Sequence, residues 1–214
     1  MKPYFERDNV QIYHGDCREI LPALQVDTIC ADPPYGIDLQ KRMGGSRAKY
    51  TRALNEYTVI GDSEPFDPAH LLGFRRVILW GGNHFASRLP DTRCWLLWDK
   101  RKGGTPDNQA DAEVAWTNFD EPTRLYSHKW RGMIKDSEQA EKRIHPTQKP
   151  VSLMRWCLTL AKPHGVVCDP YMGSGSTIRA ALDMGFPTVG IELDERYCEA
   201  AAKRLDQLVL VTAL

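Results

Sequence analysis

Short apolar runs alternate with helically spaced apolar positions along most of the chain, and the turns between them mark the elements. Gln11-Ile12-Tyr13-His14 reads as a strand ended by Gly15-Asp16, and Cys17 to Leu24 carries helical spacing. Val26 to Ala31 is a second apolar run. It must stop at Asp32-Pro33-Pro34, because two prolines cannot continue a central strand. A helix over Pro68–Phe74, a strand over Val77–Trp80, a Gly81-Gly82 turn, a short helix over Asn83–Arg88 and a strand over Cys94–Trp98 follow. Regular alternation returns after His145-Pro146: helix Val151–Ala161, strand Gly165–Cys168, helix Thr177–Met184, strand Thr188–Ile191 and helix Glu195–Leu205. Pro150 opens the first of these helices, where a missing N–H costs nothing. Such a βαβα unit implies parallel strands with right-handed crossovers. The expected fold is therefore α/β, one domain over residues 1–214, with a mostly parallel sheet covered by helices on both faces.

Two stretches break the pattern. Residues 37–60 lose all periodicity and carry Lys41, Arg42, Arg47, Lys49 and Arg52 around Gly44-Gly45. A basic loop of this length directly after a strand end is expected to be flexible and to contact phosphates. Residues 100–143 hold β-like pieces (Glu113–Phe119, Thr123–Ser127) among turn residues, then Lys129, Trp130, Arg131 and Lys135. With Arg124 these basic residues mark an inserted region suited to DNA contact. Trp95 and Trp98 follow a core-strand pattern, whereas Trp130, flanked by Lys129 and Arg131, is a candidate DNA-facing ring.

Composition adds exclusions. The 28 Lys and Arg balance 28 Asp and Glu, so only local charge can serve a nucleic acid. No apolar run is long enough for a membrane span, and Met1–Val10 has no hydrophobic stretch that resembles a secretory signal. The six cysteines form no Cys-x-x-Cys pair and have no clustered histidines. A cytoplasmic protein without zinc, other metal or disulfides is expected.

Three motifs carry the chemistry. Asp169-Pro170-Tyr171-Met172-Gly173-Ser174-Gly175-Ser176-Thr177 lies between a strand and a helix, where glycines let the backbone approach a bound cofactor. Ile178 stands where a dinucleotide fingerprint has its third glycine, and no Gly-Lys-Ser/Thr follows, which disfavours both an oxidoreductase and an NTPase loop. Glu192, in Gly190-Ile191-Glu192-Leu193-Asp194, sits roughly 20 residues further on, where a carboxylate accepts hydrogen bonds from ribose hydroxyls. Asp194 reads as a helix cap. The third motif is Asp32-Pro33-Pro34-Tyr35.

Together with Gly36 and with His145-Pro146-Thr147-Gln148-Lys149-Pro150, these motifs closely resemble the amino-methylating (N6-adenine/N4-cytosine) DNA methyltransferases. The order of motifs resembles their β class, and the resemblance spans nearly the whole chain. It implies a Rossmann-like S-adenosylmethionine-dependent methyltransferase fold with permuted motif order, S-adenosylmethionine as cofactor and duplex DNA as substrate. It also implies that Asp16, in the His14-Gly15-Asp16-Cys17 segment, meets the cofactor adenine amine. Thr147, Gln148 and Lys149 fall where the family holds the cofactor's methionine end.

The residue chemistry agrees with the resemblance. An exocyclic amine is a poor nucleophile because its lone pair is delocalised into the ring, so it needs orientation and electrostatic help and no covalent nucleophile. Asp32 and the Pro33 carbonyl offer two acceptors for the amine hydrogens, Pro33 and Pro34 stiffen the backbone, and Tyr35 offers an aromatic face to a flipped base. Asp at the first motif position is commoner among adenine enzymes of the family, so adenine N6 is expected, with cytosine N4 as the alternative. Methylation of RNA or of a protein glutamine, and a non-catalytic DNA-binding module, are rivals that the motif order and the complete motifs disfavour. The small insertion leaves little surface to cover DNA and relatives often pair, which leaves a homodimer open. A cognate restriction endonuclease cannot be read from the chain.

Overall fold

The structure, a computed structural model, describes residues 1–38, 59–104, 110–131, 134–139 and 148–212, with backbone alone at 131 and 207–212. In chain order the elements are β1 (Phe5–Arg7), β2 (Val10–His14), α1 (Cys17–Ile20), β3 (Thr28–Ala31), β4 (Arg76–Trp80), β5 (Trp95–Asp99), β6 (Ala112–Thr117), β7 (Arg124–Ser127), β8 (Trp130–Arg131) and β9 (Ile134–Lys135). Then come α2 (Val151–Ala161), β10 (Val167–Asp169), α3 (Ser176–Asp183), β11 (Thr188–Glu192) and α4 (Glu195–Thr212). Nine strands form one sheet in the order β1-β2-β11-β10-β3-β4-β6-β5-β7, and β8 and β9 form a separate hairpin. The central five strands, β2, β11, β10, β3 and β4, are mutually parallel. This is the Rossmann-like methyltransferase architecture, a mixed sheet with helices packed on it.

Alternate residues of the central strands feed opposite faces. Cys30, Ile78 and Trp80 pack with Leu153, Met154, Cys157 and Leu158 of α2. Ile29, Ala31, Val77 and Leu79 pack on the other face with Cys17 and Ile20 of α1 and with Leu71. Covering on both faces explains why β3 reads as a continuous apolar run and not as an alternating one. All six cysteines are free and buried, five of them in these layers and Cys198 in a third apolar cluster with Val10, Ile12 and Ile178. Among the described residues no helix is long and apolar enough to cross a membrane.

Three expectations change. The helix expected at Pro68–Phe74 is a single 3₁₀ turn, Ala69–Leu71, and that at Asn83–Arg88 is two such turns, Gly82–His84 and Ala86–Arg88. Segments this short cannot repay helix nucleation, and their buried Leu71 and Phe85 are seated by tertiary packing instead. The stretch 100–143 is only partly an insertion. β6 lies antiparallel between β4 and β5, and β7 pairs parallel with β5, so residues 112–127 extend the main sheet. Of the described residues in that stretch, those beyond β7 and those before β6 leave the sheet.

Leu158 of α2 has no exposed surface. Leu158→Ala is expected to lower stability by about 2–5 kcal/mol, from lost transfer free energy plus the cavity left behind. Urea denaturation measures it, and a loss below about 1 kcal/mol would show that α2 is not docked as described.

Candidate active site

Parallel pairing brings the carboxyl ends of β2, β11, β10, β3 and β4 to one edge, and a cleft of about 1280 Å³ opens there. It is lined by Gly15–Arg18 after β2, Asp32–Tyr35 after β3, Asp169–Ser174 at the end of β10, and Glu192–Asp194 at the end of β11. Motifs distant in sequence thus meet because each follows a strand of the same parallel set.

Asp32 lies within a cluster of charged and polar side chains. Its Oδ1 accepts a hydrogen bond from the Tyr35 hydroxyl at 2.5 Å, and its Oδ2 lies 2.5 Å from the Lys149 ammonium. Lys149 Nζ also donates to Tyr35 Oη at 3.2 Å and lies 3.4 Å from Glu113 Oε2. Lys100 Nζ donates to Glu113 Oε1 at 2.5 Å, which closes an alternating chain of charges. Burial holds the Asp32 carboxyl above its ordinary value, opposed by the Lys149 cation and reinforced by Glu113. Burial would lower the Lys149 ammonium, but Asp32, Tyr35 and Glu113 outweigh it and hold it well above its ordinary value. Burial pushes Glu113 up, yet the ammonium groups of Lys149 and Lys100 bring it below the usual range.

The loop that presents Asp32 is fixed by its neighbours. Asp62 Oδ1 accepts from the backbone N–H of Gly36 at 3.0 Å and of Ile37 at 3.3 Å. The Tyr35 ring stacks on His84 with centroids 5.0 Å apart and 15° between planes. Gly81, at φ +72°, lies under that ring, and a Cβ there would come within 2.1 Å of Tyr35 Cε1. Glycine at this position therefore serves both the left-handed backbone and the seat of Tyr35.

The opposite end of the cleft is the glycine turn. Asp169 Oδ1 accepts from the Tyr171 N–H at 3.1 Å, and Thr177 also hydrogen-bonds this carboxylate. The Gly173 and Asp194 N–H groups each donate to Glu192 at 2.9 Å, one to each carboxylate oxygen. The Leu193 N–H bonds this carboxylate as well, so of its roughly four lone-pair sites about one stays available to a ligand. Gly175 opens α3 at φ +77° and packs against Ala201; it does not line the cleft as its motif neighbours do. Asp16 caps α1 by accepting from the Arg18 N–H at 2.9 Å and pairs with the Arg18 guanidinium. Cys17 is buried, with its Sγ 3.7 Å from His70 Nε2, which lies 2.9 Å from the Tyr171 hydroxyl.

The structure brings Asp16, Cys17, Asp32, Pro33, Pro34, Tyr35, Gln148, Lys149, Asp169, Tyr171, Gly173, Ser174, Ser176, Thr177 and Glu192 into this one cleft. Lys149, expected near the methionine end of a cofactor, lines the cleft beside Gln148. Its ammonium is tied to Asp32 and Glu113, so it belongs to the Asp32 cluster. Trp130, expected to face DNA, is 6% exposed and donates its indole N–H to the Gln148 carbonyl at 3.1 Å, and it lines the cleft. Arg124 lies on the outer strand β7, while Lys135 covers the Trp130 ring at 4.7 Å; neither these two nor Lys129 line the cleft. Lys41, Arg42, Arg47, Lys49, Arg52 and Thr147 lie outside the described residues, as does the Arg131 side chain. Sequence reasoning missed Glu113, Lys100, Asp62, His70 and His84. A lone acid in the otherwise apolar run Val114-Ala115-Trp116 was the signal for Glu113.

A parallel-sheet edge with a glycine turn, a ribose-suited carboxylate at the next strand end and an Asp-Pro-Pro-Tyr loop defines a Rossmann-like methyltransferase. The family model described as DNA methylase, of the N6/N4 type, matches residues 92–203, and the chain belongs to that family of S-adenosylmethionine-dependent amino-methyltransferases. It is similar to the type II methyltransferase M.HinfI of Haemophilus influenzae, with 27% identity over 92% of this chain and 68% of that protein. The fold is similar to the M1.HpyAVI–SAM complex, with 24% identity, a TM-score of 0.53 and coverage of 91% of this chain and 99% of that one. It is also similar to the cytosine-N4-specific PvuII DNA methyltransferase, with 18% identity, a TM-score of 0.60 and coverage of 94% and 88%.

Burial, with Asp32 and Glu192 nearby, raises the Asp169 carboxyl to about 7 against its hydrogen bonds from Thr177 and Tyr171. A folded-state value above the unfolded one means that the folded protein holds the proton more tightly. Its contribution to stability is therefore full below the ordinary carboxylate range and is lost as pH rises through about 7. Asp169→Asn is expected to raise the melting temperature relative to the parent at pH 8 and to lose that gain near pH 4. Equal differences at the two pH values in thermal unfolding would refute it.

Proposed function

We propose that this protein transfers the methyl group of S-adenosylmethionine to the N6 amine of adenine in duplex DNA after the base leaves the stack. The observation that carries this reading is the Asp32 carboxylate facing the cleft, held by Tyr35 and Lys149 and followed directly by Pro33.

The cleft residues fit the cofactor. Carboxylates of Asp32, Asp169 and Glu192 line one cavity, a donor set suited to a ligand that carries positive charge, and the Gly173 turn lets backbone approach it. Glu192 would take the ribose hydroxyls, Asp16 the adenine amine, and the segment around Gln148 the methionine end. When bound, the cofactor supplies an electrophilic methyl group on a sulfonium. The protein's part is orientation. Asp32 and the Pro33 carbonyl accept the two amine hydrogens, which favours a tetrahedral nitrogen with its lone pair free to form the new N–C bond. Burial, which raises the Asp32 carboxyl, suits it to hold the proton that the amine then sheds. Asp in the first motif position supports adenine over cytosine.

The basic stretch 37–60, with Lys41, Arg42, Arg47, Lys49 and Arg52, contacts DNA in this reading; Ile37 and Val59, on either side of it, line the cleft. The parts of 100–143 outside the sheet form the target-recognition region, and Lys100, Arg101 and Ala110 bring it to the cleft wall. Arg124, Lys129, Arg131 and Lys135 add phosphate contacts.

Digestion of methylated DNA to nucleosides and mass analysis are expected to give N6-methyladenine; N4-methylcytosine without it would transfer the reading to cytosine. Asp32→Ala is expected to lower the rate of labelled-methyl transfer by roughly 100- to 1000-fold, as loss of a group that stabilises developing charge does.

A further inference from the structure

The Asp32 cluster holds a second buried carboxylate that the methyl-transfer chemistry leaves without a role. Glu113 stands on β6 opposite Trp98 of β5; its Oε1 is hydrogen-bonded, whereas its Oε2 has an ionic contact alone. Lys100 Nζ is 2.5 Å from Oε1, and Lys149 Nζ is 3.4 Å from Oε2. The Lys149 side chain, 6% exposed, thus lies between Glu113 and Asp32, with its Asp32 contact at 2.5 Å.

The position of that ammonium creates an electrostatic difficulty. Positive charge develops on the substrate amine as its new bond forms, and Asp32 serves the amine only while its negative charge is available. A buried lysine with Asp32 as its sole counter-ion would cancel that charge and repel the developing cation, in surroundings where water screens little. A second carboxylate on the far side of the lysine removes the conflict. Asp32, Lys149 and Glu113 together carry one net negative charge, and Lys100 balances it from a side chain 30% exposed, where water screens it more than it screens the buried Lys149. Stability does not account for Glu113, because buried ion pairs are often no better than apolar packing. Its neighbours Val114, Ala115 and Trp116 show the apolar alternative in the same strand.

We propose that Glu113 is a positioning residue that acts as the counter-ion of Lys149, so that the ammonium does not cancel the Asp32 charge that the substrate amine meets. The proposal rests on the reading that Asp32 receives that amine. The groups that face Asp32 are Tyr35 from its own loop, Lys149 ahead of α2, Glu113 from β6, Asp169 from β10 and the Cys30 thiol of β3. Among them Glu113 raises the Asp32 carboxyl by its negative charge. Removing that charge lets Asp32 lose its proton at lower pH.

The test has two arms. In ligand-free protein, carboxyl-carbon NMR follows the Asp32 titration, with the resonance assigned from Asp32→Asn. Glu113→Gln is expected to move its midpoint to lower pH, and Glu113→Asp to leave it near the parent's. In the methylation assay, Glu113→Gln is expected to lower kcat roughly tenfold with KM for DNA and cofactor little changed, a smaller loss than that of a group touching the reacting atoms. Glu113→Asp, which keeps the charge but draws it back from Lys149, is expected to recover most of kcat and fall short of the parent by a few-fold. An unmoved Asp32 midpoint in Glu113→Gln, or an unchanged kcat, overturns the proposal. If Glu113→Gln does not fold, Glu113→Asp decides, because a kcat equal to the parent's would show that the reach to Lys149 does not matter. Absence of methyl transfer by the parent would overturn the adenine reading instead, and leaves the titration arm to judge Glu113 by itself.

Discussion

Parallel pairing of β2, β11, β10, β3 and β4 is the constraint from which the site follows. Strands that run the same way must all deliver their following loops to one edge. His14, Glu192, Asp169, Ala31 and Trp80 end at that edge, although they are scattered from near the amino end of the chain to beyond its last glycine turn. The sheet order places β10 beside β3, so the glycine turn and the Asp32 loop become neighbours across the point where the chain path reverses. A permuted motif order costs nothing in such a sheet, because the site depends on which strands are adjacent and not on which comes first.

The same edge concentrates acids, and the fold has to keep them tolerable. Each carboxylate in the cleft is held differently. Glu192 takes three backbone N–H groups, Asp169 takes the Tyr171 N–H and the Thr177 hydroxyl, and Asp16 takes a helix cap and a guanidinium. Asp32 instead has a buried ammonium for a partner, that of Lys149, which it shares with Glu113. Hydrogen bonds from neutral donors stabilise a carboxylate without cancelling its charge, whereas an ammonium cancels it. The arrangement thus leaves Glu192 and Asp169 negative toward a cationic ligand above neutral pH, and makes the charge of Asp32 depend on what else Lys149 touches.

Much of this was legible in the sequence because the informative residues act locally. Two prolines end β3, Gly175 opens α3 in a left-handed conformation, and Pro150 precedes α2; each leaves a mark within a few positions. What the sequence hid depends on contacts across the sheet. β6 slots antiparallel between β4 and β5, out of chain order, and no local pattern announces that choice. Glu113 therefore read as an edge of an insertion, although the sheet carries it to the wall of the cleft. Lys149 was assigned by its motif, but its partner was set by the strand opposite. Trp130 sat between two basic residues in sequence, and the hairpin turned its ring inward against the Gln148 backbone.

The charge layout also bears on how a neutral protein handles a polyanion. The chain has no net charge, and carboxylates outnumber cations along the cleft, which disfavours a duplex settling there with its phosphates. A single extrahelical base can enter, since a neutral heterocycle brings an amine and leaves its phosphates at the rim. Depth and charge therefore select the same thing: the acids that would repel a backbone are the groups that accept an amine's hydrogens. In the proposed reading, base flipping follows from where the negative charge lies, and the basic stretches outside the sheet are left with the task of holding the rest of the duplex at the mouth.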